Sequence, residues 1–143
     1  MAEEFASYDE FKNIDIVYSS NYVRAMSTAK YFAFNNGLKV NIDERFNERI
    51  HGVDSCGDLP NNFEVNQFND ENYKVGFGES QKDVQTRMYE GLVSVMNENK
   101  GKRIVIILHS TAIAFLLKMY INRPFFYTIA IFVILIYFFN YRL

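Results

Sequence analysis

The sequence has few of the residues that mark specialised classes of small protein. Its 143 residues contain one cysteine, Cys56, so the chain can form no internal disulfide, and a reducing compartment such as the cytoplasm fits. With 15 Lys and Arg against 17 Asp and Glu, the net charge is −2, which lacks the basic excess that nucleic-acid binding usually needs. Hydrophobic residues make up 49% of the chain, enough for one folded domain with a core.

Several common motifs are also missing. The sequence contains no CxxC, no GxxxxGK[ST] and no GxGxxG. It therefore does not indicate a zinc-ribbon, a P-loop or a dinucleotide-binding protein. The first residues, "MAEEFASYDEF", have no basic region followed by an apolar run, so we expect no secretory signal. They read as an acidic helix instead. These absences leave no indication of a metal or an organic cofactor.

Apolar periodicity predicts an alternation of strands and helices. Short apolar, β-branched runs predict three strands, at residues 14–18, 38–42 and 103–108. Helical spacing of apolar residues predicts three longer helices, at residues 21–35, 79–101 and 110–120. Because each predicted strand is followed by a helix, the sequence indicates an α/β fold with a mostly parallel sheet.

Three segments carry finer predictions. Ser80 followed by Asp83 resembles a capping box, which would start the long helix. The strand at 103–108 is almost continuously apolar, as expected for a central parallel strand covered on both faces. Residues 43–78 are polar and glycine-containing, so we expect a long loop with short helical turns, and long loops in compact domains are usually functional.

The composition changes after residue 123. From 124 to 143 the only charged residue is Arg142, and residues 125–139 form the run "FFYTIAIFVILIYFF". This run is shorter than the roughly 20 apolar residues of a usual membrane span. Two interpretations stay open, one or two buried strands or a membrane-associated tail, and we expect strands. The chain is thus divided into a domain at 1–123 and an apolar tail at 124–143.

Polar residues at two strand ends suggest an anion site. Arg24 lies in the first helical turn after the first strand, and His109 directly follows the third. Ligands bind beyond the carboxyl ends of parallel strands, and helix N-termini favour anions. We expect Ser20 to cap the helix that carries Arg24, and Ser110 or Thr111 to cap the next. The positive charge of an arginine is unfavourable at the positive end of a helix dipole. A phosphate bound at the same place would make the overall interaction favourable, so the arginine and the serines are consistent with an anion site.

Taken singly, these residues have ordinary explanations. An arginine in a first turn is commonly a solvated surface residue, and a histidine after a strand is commonly structural. Glu48, in "RFNERIHG", is one of many loop carboxylates, and His51 reads as a loop residue. Cys56 has no local basic partner, so we expect no nucleophilic role for it.

The combination is more specific than its parts. The chain contains, in order, "DIVYSSNYVRAMSTAKYFA", "DERFNERIHG", "GES" with Arg87 further on, and "IVIILHSTAIAFLL". This order resembles the histidine phosphatase superfamily, the phosphoglycerate-mutase-like proteins, from about Ala2 to Leu117. The resemblance implies a three-layer α/β/α fold and the hydrolysis of phosphomonoesters of small molecules.

The resemblance also implies roles for particular residues. That family binds the phosphoryl group with two arginines and two histidines. The resemblance places the second arginine at Arg24 and the non-nucleophilic histidine at His109. The resemblance places the proton donor at Glu48. From their positions at the two helix starts, we expect Ser20 and Ser110 to contribute to substrate binding. No metal or other cofactor is needed, since arginine and histidine supply the positive charge. The short stretch between Glu48 and His109 favours a phosphatase over a mutase.

One part of the family pattern is not found. The family's first strand carries an Arg-His-Gly motif whose histidine is the nucleophile, whereas the two histidines here, His51 and His109, do not match it. We therefore expect a chain that lacks the N-terminal strand of the family, a fragment or an altered reading frame, and that is inactive as it stands. The alternatives are a non-catalytic phosphate-binding module and a small membrane-associated protein held by residues 125–139.

Overall fold

A computed structural model describes residues 2–121 of the chain. It contains five α-helices in this range: α1 (Ala2–Phe5), α2 (Val23–Asn35), α3 (Phe63–Asn69), α4 (Gln81–Glu98) and α5 (Ser110–Ile121). The strands are β1 (Ile16–Ser19), β2 (Val40–Ile42) and β3 (Ile104–Ile107). Single 3₁₀ turns lie at Asp9–Phe11, Glu44–Phe46 and Cys56–Asp58. The predicted strands and longer helices are confirmed, within a few residues at their ends.

The three strands form one parallel sheet. Their order is β2-β1-β3, so β1 lies between the other two. Val17 of β1 is opposite Val40 of β2 on one side and Val105 of β3 on the other. The parallel α/β arrangement expected from the alternation of elements is therefore confirmed.

Helices cover both faces of this sheet. On one face, Val17, Val105 and Ile107 pack with Ala29 and Phe32 of α2. On the other face, Ile106 and Leu108 pack against apolar residues of α4 and α5. That second cluster includes Val84, Met88, Leu92, Val95, Ala112, Ile113 and Leu116. The alternation of strand side chains between two helical layers gives the predicted three-layer α/β/α fold.

The start of α4 has the predicted capping box. The Oγ of Ser80 accepts a hydrogen bond from the backbone N–H of Asp83 at 3.1 Å, and the Asp83 carboxylate accepts one from the N–H of Ser80 at 3.0 Å. The bond from the Ser80 backbone, with help from Lys74, lowers the pKa of Asp83. Two of the donors that are free at a helix start are thus satisfied locally.

Two glycines bring distant parts of the long loop into contact. Gly52 has φ +86°, and a Cβ on Gly78 would lie 2.7 Å from the carbonyl oxygen of His51. The close approach allows the N–H of Glu79 to donate to the carbonyl of Ile50 at 2.9 Å. The carboxylate of Glu79 accepts from the N–H of Ile50 in return, at 3.0 Å. This double contact fixes the segment that follows Glu48 against the start of α4.

The apolar tail lies outside the described residues. The division at residue 123, and the expectation of strands or membrane association for 125–139, therefore stay predictions. Among residues 2–121, none of the helices has the length and apolar character that crossing a bilayer requires.

Candidate functional site

Arg24 and His109 meet at the carboxyl edge of the sheet. Arg24 lies in the first turn of α2, just after β1, and His109 lies between β3 and α5. The Nε of Arg24 donates a hydrogen bond to Nδ1 of His109 at 3.1 Å. Arg24 is exposed, whereas His109 is only 5% exposed. The two residues that the sequence placed at neighbouring strand ends are thus in direct contact, with the cation accessible from solvent.

Ser20 fixes the other side of the His109 ring. Its Oγ lies 2.7 Å from Nε2 of His109, and both residues are buried. Because Nδ1 accepts from Arg24, the single proton of the neutral ring resides on Nε2, which donates to Ser20. Ser20 was expected to cap α2, and that expectation is wrong. The helix begins later, after Tyr22, and its N-cap makes no side-chain bond. Ser20 Oγ instead accepts from the N–H of Tyr22 at 3.3 Å.

The surroundings of His109 favour its neutral form. Burial lowers the pKa of His109 to about 4, and the charges of Arg24 and Arg87 act in the same direction, while Glu48 opposes them. The ring of Tyr22 packs edge-on against the His109 ring, with centroids 5.0 Å apart. The Arg24 guanidinium lies 4.8 Å from the centre of the same Tyr22 ring. Tyr22 therefore holds both members of the pair in place.

Glu48 binds the N-terminus of α5. Its carboxylate accepts hydrogen bonds from the backbone N–H groups of Ala112, at 3.0 Å, and Thr111, at 3.4 Å. The expectation that Ser110 or Thr111 caps this helix is wrong, since the cap comes from a residue more than sixty positions earlier. A carboxylate also interacts favourably with the positive end of the helix dipole. Ser110 is the exposed first residue of α5.

Arg87 holds the backbone of the segment that ends in Glu48. Its guanidinium pairs with the Glu79 carboxylate at 2.6 and 2.9 Å. It also donates to the carbonyl oxygens of Arg45 (2.8 Å), Asn47 (2.9 Å) and Glu48 (3.3 Å). In the sequence, Arg87 stood out only as part of the resemblance. Its role depends on contacts across about 40 residues, which periodicity along one helix does not reveal.

Arg49 was missed altogether. It is 5% exposed and donates to the amide oxygen of Gln67 and, at 2.6 Å, to the Glu64 carboxylate. Its Nη2 also lies 3.3 Å from Nε2 of His51, whose ring packs near Phe63. These contacts fasten the loop to α3. The only sequence signal was its position next to Glu48, and buried arginines are uncommon enough that none was expected.

The arrangement brings together side chains whose chemistry suits the binding of an anion. Arg24 offers a guanidinium that can bind phosphate in a bidentate manner. His109 can take up a proton and then donate to an anion, because a nearby negative charge favours the charged ring. Glu48 brings a carboxylate to the N-terminus of α5, the helix that follows His109, and its charge acts on the His109 ring. Within residues 2–121, no three His, Cys, Asp or Glu side chains come close enough together to hold a metal ion.

The fold is similar to that of several solved phosphatases. A mycobacterial glucosyl-3-phosphoglycerate phosphatase in complex with inorganic phosphate has 24% sequence identity and a TM-score of 0.70, and the match covers 86% of this chain and 66% of that one. For an alpha-ribazole phosphatase from Shigella flexneri the identity is 21% and the TM-score 0.67, covering 86% and 64%. The chain thus spans slightly less than two thirds of each structure. At these identities the likeness establishes the fold.

The sequence comparisons agree with the structural ones. A search among curated proteins gave no match. The model of the histidine phosphatase superfamily (branch 1) matches residues 1–128, which is most of the chain and extends beyond the Ala2–Leu117 range of the resemblance. The motif order, the three-layer fold and this match agree, and the chain belongs to the histidine phosphatase superfamily.

Proposed function

We propose that this chain carries the phosphoryl-binding and proton-donating part of a phosphomonoester hydrolase site. The observation that supports this most directly is the contact between Arg24 and His109 at the carboxyl edge of the sheet, at 3.1 Å. The exposed guanidinium of Arg24 and the buried imidazole of His109, which can change its protonation state, follow two neighbouring strand ends. This is the position where a parallel α/β sheet binds its ligands.

In the proposed site, Arg24 and His109 share the phosphoryl group. Phosphate accepts from the Arg24 guanidinium, which turns away from Nδ1 of His109. The freed Nδ1 then takes a proton and donates to a second phosphate oxygen, while Nε2 keeps its bond to Ser20. Both groups oppose the negative charge that develops on the transferring phosphoryl, which is the electrostatic part of phosphoryl transfer.

Glu48 is the proposed general acid. Its carboxylate lies at the N-terminus of α5, where it accepts from the N–H groups of Thr111 and Ala112, two and three residues after His109. Protonation of the leaving oxygen by a positioned carboxylic acid is the usual way to make an alkoxide leaving group acceptable. Arg87 acts on Glu48 only through the backbone, so it is a positioning residue.

The substrate class that fits this site is a phosphorylated small molecule. The names of the two structural neighbours describe a glucosyl-3-phosphoglycerate phosphatase and an alpha-ribazole phosphatase, so both names indicate phosphorylated small molecules as substrates. Phosphatase fits better than mutase because the stretch from Glu48 to His109 is short. Cys56 is an exposed free thiol, which suits a reducing compartment, and we place the protein in the cytoplasm.

We expect these 143 residues to bind phosphate without turning over a substrate. They contain two histidines, and neither lies in an Arg-His-Gly sequence. A non-catalytic phosphate-binding module is the second candidate function, and it rests on the same Arg24–His109 contact. Hydrolysis of p-nitrophenyl phosphate at the background rate favours that module. Turnover through a phosphohistidine at His109 would contradict the proposed roles of His109 and Glu48.

Phosphate titration followed by amide chemical shifts tests the binding. Each charge-assisted bond contributes roughly 1.5–3 kcal/mol, so about 4 kcal/mol net, a Kd near 1 mM, is the expected scale. Arg24→Ala should weaken binding at least about tenfold, a loss of about 1.4 kcal/mol. Lys30→Ala, which removes an exposed cation from the same helix, is the control and should change little. Equal affinity in the wild type and Arg24→Ala would refute the proposed site.

A further inference from the structure

A polar cavity lies between the end of α3, the first two turns of α4 and the last turn of α5. Its volume is about 570 Å³, which is within the range of about 300–1,000 Å³ that is usual for small-molecule sites. The side chains that line it include two buried glutamines of α4, Gln81 and Gln85, and a lysine of α5, Lys118. None of the residues that line it belongs to the candidate site around His109. The cavity is therefore a separate feature of the molecule.

Hydrogen bonds between the three helices hold the walls of this cavity together. The backbone N–H of Lys82 donates to the carbonyl of Glu71 at 3.0 Å, which joins the start of α4 to the segment after α3. Nζ of Lys118 donates to the carbonyl of Phe68 at 2.5 Å and to Oε1 of Gln81 at 3.2 Å. The same ammonium lies 4.4 Å from the centre of the Phe68 ring. Lys118 thus joins α5 to both other helices, and the cavity is bounded by groups that are bonded to one another.

Each of the two glutamines has one half of its amide group unused. Oε1 of Gln81 accepts from Lys118, but its Nε2 has no hydrogen-bond partner in the described part of the chain, although the residue is only 2% exposed. Nε2 of Gln85 donates to the carbonyl of Phe115 at 2.8 Å, and its Oε1 has no partner among residues 2–121. Buried side-chain amides normally bond to protein or to water. Water or a ligand in the cavity is therefore needed to satisfy one donor and one acceptor, which lie one helical turn apart.

The charged side chains that line the cavity carry an excess of one positive charge. They are two cations, Lys82 and Lys118, and one anion, Glu71. Within the range 2–121, none of the three forms an ion pair. Lys118 is half-buried, and a charge in that position is screened less by salt than an exposed one, so it favours an anion in the cavity. Glu71 in turn favours a positive group, so the lining suits a molecule with both signs of charge and a negative excess.

We propose that this cavity binds an acidic amino acid, a small molecule with two carboxylates and one ammonium group. One carboxylate accepts from Nζ of Lys118 and from the free Nε2 of Gln81, which are charge-assisted hydrogen bonds. The ammonium donates to the free Oε1 of Gln85 and is attracted by Glu71, and the second carboxylate pairs with Lys82. Simple anions such as chloride and sulfate offer no donor to Gln85 and are repelled by Glu71, so they fit less well. This inference does not depend on the proposed function.

The side-chain amide signals of the glutamines test this site in an NMR titration. We expect L-glutamate, added to the 143-residue chain, to shift the signals of Gln81 and Gln85 along one saturable curve. Gln67 is the internal reference, because its buried amide is bonded on both sides, to Glu79 and to Arg49, and its signals should not move. Signals of Gln81 and Gln85 that stay unchanged up to about 50 mM L-glutamate, or that move equally with sodium chloride, would overturn the proposal.

Matched ligands test the groups of the ligand one at a time. Glutarate lacks the ammonium group that bonds to Gln85, so it should bind at least about tenfold more weakly than L-glutamate. L-Glutamine lacks the second carboxylate and should bind about two- to fivefold more weakly, because its lost partner, Lys82, is exposed. Glutarate or L-glutamine that binds as tightly as L-glutamate would overturn the proposal.

A pair of lysine variants tests the lining of the cavity. Lys118→Met should weaken the binding of L-glutamate at least about tenfold, since it removes a charge-assisted donor. Lys39→Met, which removes an exposed cation outside the cavity, is the matched control and should change little. Equal affinities in the two variants would overturn the proposal. If Lys118→Met does not fold, the comparison of the three ligands on the unaltered chain decides.

Discussion

Arg24 donates a hydrogen bond to His109 across 85 positions of sequence, with 3.1 Å between Nε and Nδ1. The bond defines the protonation of the ring, because a guanidinium has no lone pair to offer and Nδ1 must be the acceptor. Nε2 then carries the proton and donates it to Ser20. The site thus contains a neutral histidine held between a cation and a hydroxyl group. The pH dependence of stability and the effects of substitutions at this histidine and at neighbouring residues can be measured.

The stability of the domain should fall as pH decreases from about 6.5 to about 4. The folded pKa of His109 is lowered to about 4, mainly by burial, and in the unfolded chain it returns to about 6.5. Between these values the unfolded state binds more protons, so stability is present above the unfolded pKa and is lost as pH falls through the window. Denaturant unfolding at several pH values should show a loss of up to about 3 kcal/mol.

The variant His109→Gln is the control for this pH dependence. It cannot titrate, so the free energy of unfolding should change much less over the same window, whatever the variant's own stability. A wild-type slope that persists unchanged in His109→Gln would show that other groups cause the pH dependence.

The two serines of the predicted site should differ strongly when replaced. Ser20→Ala leaves the buried Nε2–H of His109 without its acceptor, which costs about 1–3 kcal/mol. Ser110→Ala changes an exposed residue at the start of α5 and should stay within about 0.5 kcal/mol. Urea unfolding at neutral pH measures both. Equal effects of the two changes would mean that the Ser20–His109 bond contributes nothing to stability.

Glu48→Ala should destabilise α5. The change removes the acceptor of the Thr111 and Ala112 N–H groups, and loss of a helix cap costs about 1 kcal/mol. Glu48→Gln keeps an acceptor oxygen but loses the charge at the positive end of the helix, so it should cost less, about 0.3–1 kcal/mol. Glu90→Ala, an exposed carboxylate in the middle of α4, is the control and should have little effect. Amide exchange of Ala112 provides a local readout, and an unchanged rate in Glu48→Ala would contradict the cap.

Arg87→Met should destabilise the domain by about 2–4 kcal/mol, because it leaves the half-buried Glu79 carboxylate without its cation and three carbonyl groups without a donor. Arg103→Met is a matched control, since Arg103 also bonds to backbone carbonyls, those of Glu10 and Lys12, but at an exposed position. We expect less than about 1 kcal/mol from it. Thermal unfolding of both variants measures the difference, and similar losses would mean that Arg87 is no more than a surface contact.

The sequence revealed those parts of the molecule that depend on local pattern. The strands, the longer helices and the Ser80–Asp83 capping box follow from periodicity and from contacts three residues apart, and all were confirmed. Arg24 and His109 could be placed at one edge because parallel strands put their carboxyl ends together. In each case the signal itself, a periodicity, a cap or a residue at a strand end, lies within a short window of sequence.

The errors concern contacts between distant segments. Ser20 was predicted to cap α2 because a serine just before a helix is commonly its N-cap. The hydroxyl group of Ser20 is instead the hydrogen-bond partner of the buried His109 ring. Glu48 caps α5 in place of Ser110 or Thr111, because the long loop folds back across the sheet edge and a carboxylate is the stronger partner. Arg49 becomes buried only when α3 packs over it. These choices are made by tertiary structure, which spacing along one chain does not encode.

Titration of the His109 ring by NMR, with and without phosphate, tests the proposed phosphoryl site most directly. We predict that saturating phosphate raises the pKa of His109 well above about 4, because Arg24 leaves Nδ1 and the bound anion favours a protonated ring. At about pH 5.5 the Nδ1 signal should change from that of an acceptor to that of a protonated nitrogen. The signals of His51 serve as the internal reference and should not follow phosphate. Saturating phosphate that leaves the pKa of His109 at about 4 would contradict the proposed sharing of the phosphoryl group by Arg24 and His109.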